Sequence, residues 1–224
     1  MFPTKASISI QSIQKKILER YNICITDSTG YSRETAMPMV ELHVLEGYNS
    51  KEKQRLGQAL TDAVRFVVPA TPELVTIMIH DMPTENYYRG RIQRRPAAAR
   101  PDPELIIKDY LSAMEARDLE KANTLLAQGF TISFPGTGPM TTLDALIQWS
   151  KPRYKFVTKT YEGFDALQSS GDASIVYCRG TLQGEYHDGS CFEAIRFIDR
   201  FEVIDGKITK QDVWNDMAEV RANT

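Results

Sequence analysis

Asp212 and Trp214 stand two residues apart in Lys207–Trp214, a stretch that alternates as a strand does. Alternation puts both side chains on one face, and counting in twos from Ile208 places them on that apolar residue's side. A carboxylate beside an indole loses hydration, which raises its pKa and suits it to acid–base work. The plainer alternative is a solvent-facing acid and an interface tryptophan. Arg179 and Glu193, on neighbouring alternating stretches, read as an ion pair across strands. His43 follows Glu41 along Met39–Leu45 and reads as a structural or surface histidine. Cys24, Cys178 and Cys191 are too scattered for a disulfide framework, and neither they nor His43, His80 and His187 have metal-ligand spacing. They suit a reducing compartment, so a cytoplasmic protein is expected. The chain has no G-x-G-x-x-G, no P-loop and no H-E-x-x-H motif, and no metal or cofactor is expected.

The elements that must hold these residues fall into two groups. A chain of 224 residues fits one large or two small domains. Lys and Arg number 27 against 29 Asp and Glu, a balance that offers no basic field for a nucleic acid. No apolar run approaches the ~18–20 residues of a membrane span, and the start of the chain lacks the continuous apolar core of a secretory leader. Arg91–Pro103 combines Pro96, Pro101 and Pro103 with Arg91, Arg94, Arg95 and Arg100 and shows no apolar periodicity. Proline restricts itself and its predecessor to extended backbone, so a linker is placed over 93–103. Its arginines read as a solvated linker, with a local anion site as the alternative.

Before the linker, Val40, Leu42 and Val44 alternate with polar residues, the period of a strand. Gly47-Tyr48-Asn49 breaks it, and Ser50 is read as the cap of a helix with Glu52 in its first turn. Leu56, Ala59, Leu60, Ala63, Val64 and Val67 form one apolar helical face, ended by Pro69 and Pro72. Leu74–Ile79 reads as a buried strand, so the two strands should be parallel. This β-α-β unit is too small to bury an adequate core alone, which implies partner subunits. After the linker, Asp102–Leu126 suits one or two amphipathic helices. Thr131–Phe134 reads as a strand and Thr142–Trp149 as a short helix. Tyr154–Leu167, Ala173–Tyr186, Cys191–Val203 and Lys207–Trp214 alternate, separated by SSGD, HDGS and IDGK turns. That order predicts an α+β domain over 104–224: helices first, then an antiparallel meander. Residues 1–36 are an N-terminal extension in which Ile10, Ile13, Ile17, Leu18 and Tyr21 make a helical stripe.

The stretch from Pro38 through Val64, with Leu45-Glu46-Gly47 and the helix opening at Ser50, resembles the start of the 4-oxalocrotonate tautomerase family. Asp81-Met82 and Asn86-Tyr87-Tyr88-Arg89-Gly90 are similar to its later segment. The resemblance implies a tautomerase-type domain over 37–92. It also implies that Pro38 is the catalytic residue when it is the first residue of the mature chain. A free prolyl amine can take a proton near neutral pH, whereas an amide nitrogen cannot. Here 37 residues precede Pro38, so the functional form is expected to begin at Pro38, by initiation at Met37 or by processing. The family's arginine after Glu-Gly is Tyr48 here, and its second arginine aligns near Thr76. Tyr48, Tyr87 and Arg89 are the candidate substrate binders.

Asp102–Val220 resembles the SnoaL-like branch of the nuclear transport factor 2-like (NTF2-like) superfamily. The helix with YLSAMEARDLEKANTLLA, the segment FTISFPGTGPMTTLDALIQW and the ending RFEVIDGKITKQDVWND carry it. It implies a cone of helices and a bent antiparallel sheet around a pocket, with Tyr110, Trp149, Tyr177, Arg179, Glu193, Asp212 and Trp214 as pocket candidates. Three functions stay open: a keto–enol tautomerase acting on a small enol or keto acid, with an accessory domain; a non-catalytic small-molecule-binding protein that the first domain oligomerises; and a polyketide cyclase or isomerase with its chemistry in the second domain. All three imply a small-molecule ligand and a homo-oligomer, and none calls for a nucleic acid, a membrane or a cofactor.

Overall fold

The structure, a computed structural model, describes residues 37–222. The expected helical stripe in 1–36 lies outside the described residues, as does Cys24. The chain divides into two compact units, one ending at Ala99 and the next beginning at Arg100.

In the first unit β1 (Met39–Leu45) lies parallel to β2 (Thr76–Met82), in register from Met39 opposite Thr76 to Leu45 opposite Met82. Helix α1 (Ser50–Val67) makes the crossover. Asn49, not Ser50, is its cap: its side chain accepts from the Lys51 and Glu52 amides, and the Glu52 carboxylate accepts from the Asn49 amide at 2.7 Å. Ser50 is instead the first helical residue, so the cap lies one residue earlier than the sequence suggested. Lys53 on α1 meets Asp81 on β2 at 2.5 Å. The second strand starts two residues later than expected because Pro72–Leu74 forms a 3₁₀ turn. A short hairpin, β3 (Tyr88–Arg89) with β4 (Ile92–Gln93), closes the unit.

In the second unit α2 (Pro103–Glu115) and α3 (Leu119–Thr124) precede β5 (Leu126–Ser133), α4 (Leu143–Ser150) and four long strands. These are β6 (Phe156–Gln168), β7 (Ser174–Glu185), β8 (Cys191–Ile204) and β9 (Lys207–Asn215), followed by α5 (Met217–Ala222). The sheet order is β5-β9-β8-β7-β6. The meander β6 to β9 is antiparallel as expected, while β5 adds to β9 in parallel and makes the sheet mixed. Asp205-Gly206 turns β8 into β9, both with positive φ, as such a two-residue hairpin requires.

One irregularity decides which way the last strand faces. Val203 pairs with Ile208 but Glu202 pairs with Lys210, so Thr209 is an extra residue in β9. A bulge of one residue reverses the alternation beyond it. Ile208 therefore shares the buried face with Gln211 and Val213, which are 4% and 5% exposed. Asp212 and Trp214 face the other way. The expectation that they lie on Ile208's side is corrected, because the sequence gives no sign of the bulge. The core gathers Ile107, Tyr110 and Leu111 of α2 against the inner faces of β5, β7, β8 and β9.

Candidate functional site

Strand β8 lays a row of inward side chains: Ile195, Phe197, Asp199, Phe201 and Val203, each under a tenth exposed. Asp199 is the one polar member, and it is fully buried. A buried carboxylate must be paired or change its protonation. Here Lys159 of β6 reaches it at 2.5 Å, and the ammonium also sits 4.3 Å from the centre of the Phe197 ring. The Gln211 amide donates to the same carboxylate oxygen at 3.1 Å. The Tyr110 hydroxyl of α2 donates to the Gln211 carbonyl oxygen at 3.3 Å. The other carboxylate oxygen of Asp199, Oδ1, has no hydrogen-bond partner among the described residues. Burial pushes the Tyr110 phenol above its usual pKa, and the Asp199 charge adds to the shift. Burial also raises the Tyr161 phenol, helped by Cys178, Asp199 and Glu115, and it raises the Cys178 thiol to about 12, with Asp199 again contributing.

Backbone geometry lets Lys159 cross to β8. Between them on β7 the inward position opposite both Tyr161 and Phe197 is Gly180. A Cβ there would lie 1.9 Å from the Thr160 carbonyl oxygen, so no side chain fits in the row that Lys159 spans.

This network opens into a cavity of about 1460 Å³ whose lining comes wholly from the second unit. Lys159, Gln211 and Tyr110 line it, while Asp199 sits behind them. Its walls include the aromatic rings of Phe134, Trp149, Tyr154, Tyr161, Tyr186 and Phe197. Trp149 stacks on Phe134 with ring centres 4.2 Å apart. It is held there by α4, whose cap, Thr142, accepts from the Ala145 amide at 3.1 Å. The arrangement offers a chamber of aromatic and charged walls in which Lys159 is a cation fixed by a buried carboxylate, suited to stabilising negative charge on a ligand oxygen.

Of the pocket residues expected from the sequence, Tyr110 and Trp149 meet at this cavity. Trp214 also borders it, but it is 46% exposed and on the strand face opposite Val213. Arg179 borders it too, paired with Asp165 rather than with Glu193. Tyr177, Glu193 and Asp212 are not in its lining. Asp212 is engaged on the outer face by Lys210 at 3.0 Å and Arg200 at 3.5 Å. The residues that sequence reasoning missed are Lys159, Asp199 and Gln211. The signal was there: Asp199 interrupts an otherwise apolar alternate row in Ile195–Val203.

In the first unit the Pro38 carbonyl accepts from the Thr76 amide at 2.9 Å, at the start of both strands. Tyr48, Tyr87 and Arg89 lie beyond the other ends of β1 and β2. Seven residues of strand separate them, roughly 20 Å. One copy of the chain does not bring Pro38 together with these three. His43 stacks on His80, its partner in register, with ring centres 4.9 Å apart. Among the described residues no cluster of three His, Cys, Asp or Glu could hold a metal ion, and no helix is long and apolar enough to cross a membrane.

Comparison with known proteins matches residues 38–91 to the family described as tautomerase enzyme and residues 107–211 to the SnoaL-like domain. No curated protein matches the chain. Similar solved structures cover about half of the chain. An NTF2-like protein of unknown function from Burkholderia pseudomallei is 16% identical over 53% of this chain and 94% of its own, with a TM-score of 0.46. An NTF2-like protein from Burkholderia thailandensis is 20% identical over 54% and 95%, with a TM-score of 0.45. IdmH from Streptomyces antibioticus, a candidate polyketide cyclase, is 24% identical over 54% and 96%, with a TM-score of 0.43.

Proposed function

We propose, for a chain that carries a tautomerase domain over residues 38–91 and a SnoaL-like domain over residues 107–211, that it is an isomerase of small enol or keto acids with its chemistry in the second domain's cavity. The observation that carries this reading is the Lys159 ammonium at the cavity wall, with its countercharge Asp199 sealed behind it. Keto–enol interconversion moves one proton between carbon and oxygen and passes through an enolate. A preorganised cation stabilises that oxyanion more than the neutral carbonyl, so it lowers the barrier rather than merely tightening binding. Lys159 stays protonated and holds the oxygen on which the charge develops, while solvent water takes the enol O–H proton and returns one to carbon. Asp199 fixes Lys159, and Gln211 with Tyr110 fixes Asp199. Ring closure of a polyketide-like chain also passes through an enolate, and the products distinguish the two reactions. Ketonisation of phenylenolpyruvate by the full chain, followed by ultraviolet absorbance, tests the reading. Lys159→Met should lower kcat by about 100-fold or more with little change in KM. An unchanged kcat rejects the reading.

A second reading is favoured by the position of Pro38, at the first residue of the tautomerase match. In it the functional form begins at Pro38, whose free amine is the base. Tyr48, Tyr87 and Arg89 of another copy complete the site, since they stand too far from Pro38 within one chain. Comparing the full 224-residue chain with a form that starts at Pro38 tests it. A gain in ketonisation only in the short form, lost again in Pro38→Ala of that form, supports it, and equal rates refute it.

A further inference from the structure

Four arginines line the cavity: Arg117, Arg153, Arg179 and Arg196. Two are neutralised, Arg179 by Asp165 and Arg196 by Asp216. Arg117 and Arg153 have no ion pair among the described residues. The adjacent acid, Asp118, caps α3 by accepting from the Lys121 amide at 3.0 Å, and Glu115 is exposed in the lining. The Arg153 guanidinium lies 4.0 Å over the Trp149 ring, an arrangement that fixes its plane and leaves its edge donors open. Arg117 follows α2 with φ of +60°, in the left-handed region where glycine is the usual residue. Keeping a long cationic side chain at such a position costs stability, and strain of this kind gathers at functional sites. Both cations also act on the same group. Burial raises the Tyr154 phenol, while its bond with Ser150 and the charges of Arg117 and Arg153 pull the other way. Two exposed arginines without an ion pair among the described residues thus share the lining with Tyr154 and Trp149.

We propose that Arg117 and Arg153 form a carboxylate subsite, so that the cavity takes aryl acids whose carboxylate rests on these arginines while the ring system fills the chamber. This rests on the reading of the cavity as the ligand site. Guanidinium groups match a carboxylate in geometry as well as charge. Trp149, stacked between Phe134 and Arg153, supplies the ring face for an aromatic body. The subsite selects the acid, and Lys159 acts on the oxygen that reacts.

The test is calorimetric titration of the full chain with 2-naphthoate and with its neutral isostere 2-naphthamide. The parent protein should bind both, naphthoate about tenfold more tightly or better. Arg117→Gln and Arg153→Gln should each bring naphthoate affinity down toward that of naphthamide and leave naphthamide unchanged, while Arg153→Lys should retain part of the preference. Equal affinity for both probes in the parent, or a naphthoate affinity insensitive to the arginine substitutions, overturns the subsite while the cavity reading stands. Binding of naphthoate alone supports the subsite, binding of naphthamide alone overturns it, and failure of both probes to bind the parent overturns the subsite and the cavity reading together. Loss of naphthamide binding in an arginine variant would show that the side chain only shapes the wall, which also overturns the subsite.

Discussion

The two units differ in how much of themselves they bury. No side chain between residues 37 and 99 is fully buried, and at the end of α1 Phe66 and Val67 are 92% and 81% exposed. The second unit buries an apolar cluster running from Ile107 to Val213 and can also bury a carboxylate within it. Both contain well-capped helices and well-paired strands, so local order is not the difference. A two-stranded sheet and one helix leave a face open, whereas a five-stranded sheet with helices across it encloses a volume. Only a unit with an interior can hold a desolvated charge pair, and this is why the account places the chemistry in the second. The first unit leaves the apolar residues at the end of α1 exposed.

The largest way to break this comparison is to strand the buried charge. Asp199→Ala should cost the second unit about 3–5 kcal/mol, since it leaves Lys159 without its partner, and chemical denaturation would read the loss. A cost below 1 kcal/mol would mean that the pair is solvated and that the cavity has no protected interior. Gly180→Ala comes next. Its methyl group would collide with the Thr160 backbone, and overpacking of this kind costs about 1–3 kcal/mol. A lower thermal midpoint with the first unit unaffected is the expected outcome.

Dilution sharpens the other side. If copies of the chain supply what the first unit lacks, its amide hydrogen exchange should speed up on dilution, while exchange in β7 and β8 should not change. Concentration-independent exchange in α1 would show that the unit is stable unaided. A further effect is at high pH. Burial lifts the Cys178 thiol from 9.0 to about 12. Between those values the unfolded chain has lost the proton and the folded one keeps it, so stability should fall as pH rises. The raised Tyr110 and Tyr161 phenols extend the decline. Cys178→Ala should flatten the decline between pH 9 and 12, measured by urea denaturation across that range.

Much of the scaffold was legible in the residues. The helix period of Leu56–Val67 and the Asp-Gly turns around β8 gave elements within a few residues of those observed, because both signals are local. The mixed sheet was not, since the parallel addition of β5 to β9 is a long-range choice. Nor was the bulge at Thr209, which carries no special residue type and yet turns Asp212 from the cavity side to the outer face. Tyr110 and Trp149 were found because large aromatics on converging elements tend to meet. Lys159 was overlooked because a lysine in an alternating strand reads as solvent-facing, and only a partner forty residues away, Asp199, gives it a reason to point inward.

The most direct measurement is the ratio of two effects in one assay. Ketonisation of phenylenolpyruvate is followed with the full chain, with Lys159→Met and with Pro38→Ala. The account predicts that Lys159→Met loses about 100-fold or more in kcat, while Pro38→Ala, whose parent nitrogen is an amide, stays within about twofold of the parent. The reverse ratio would contradict the account and move the chemistry to the first unit.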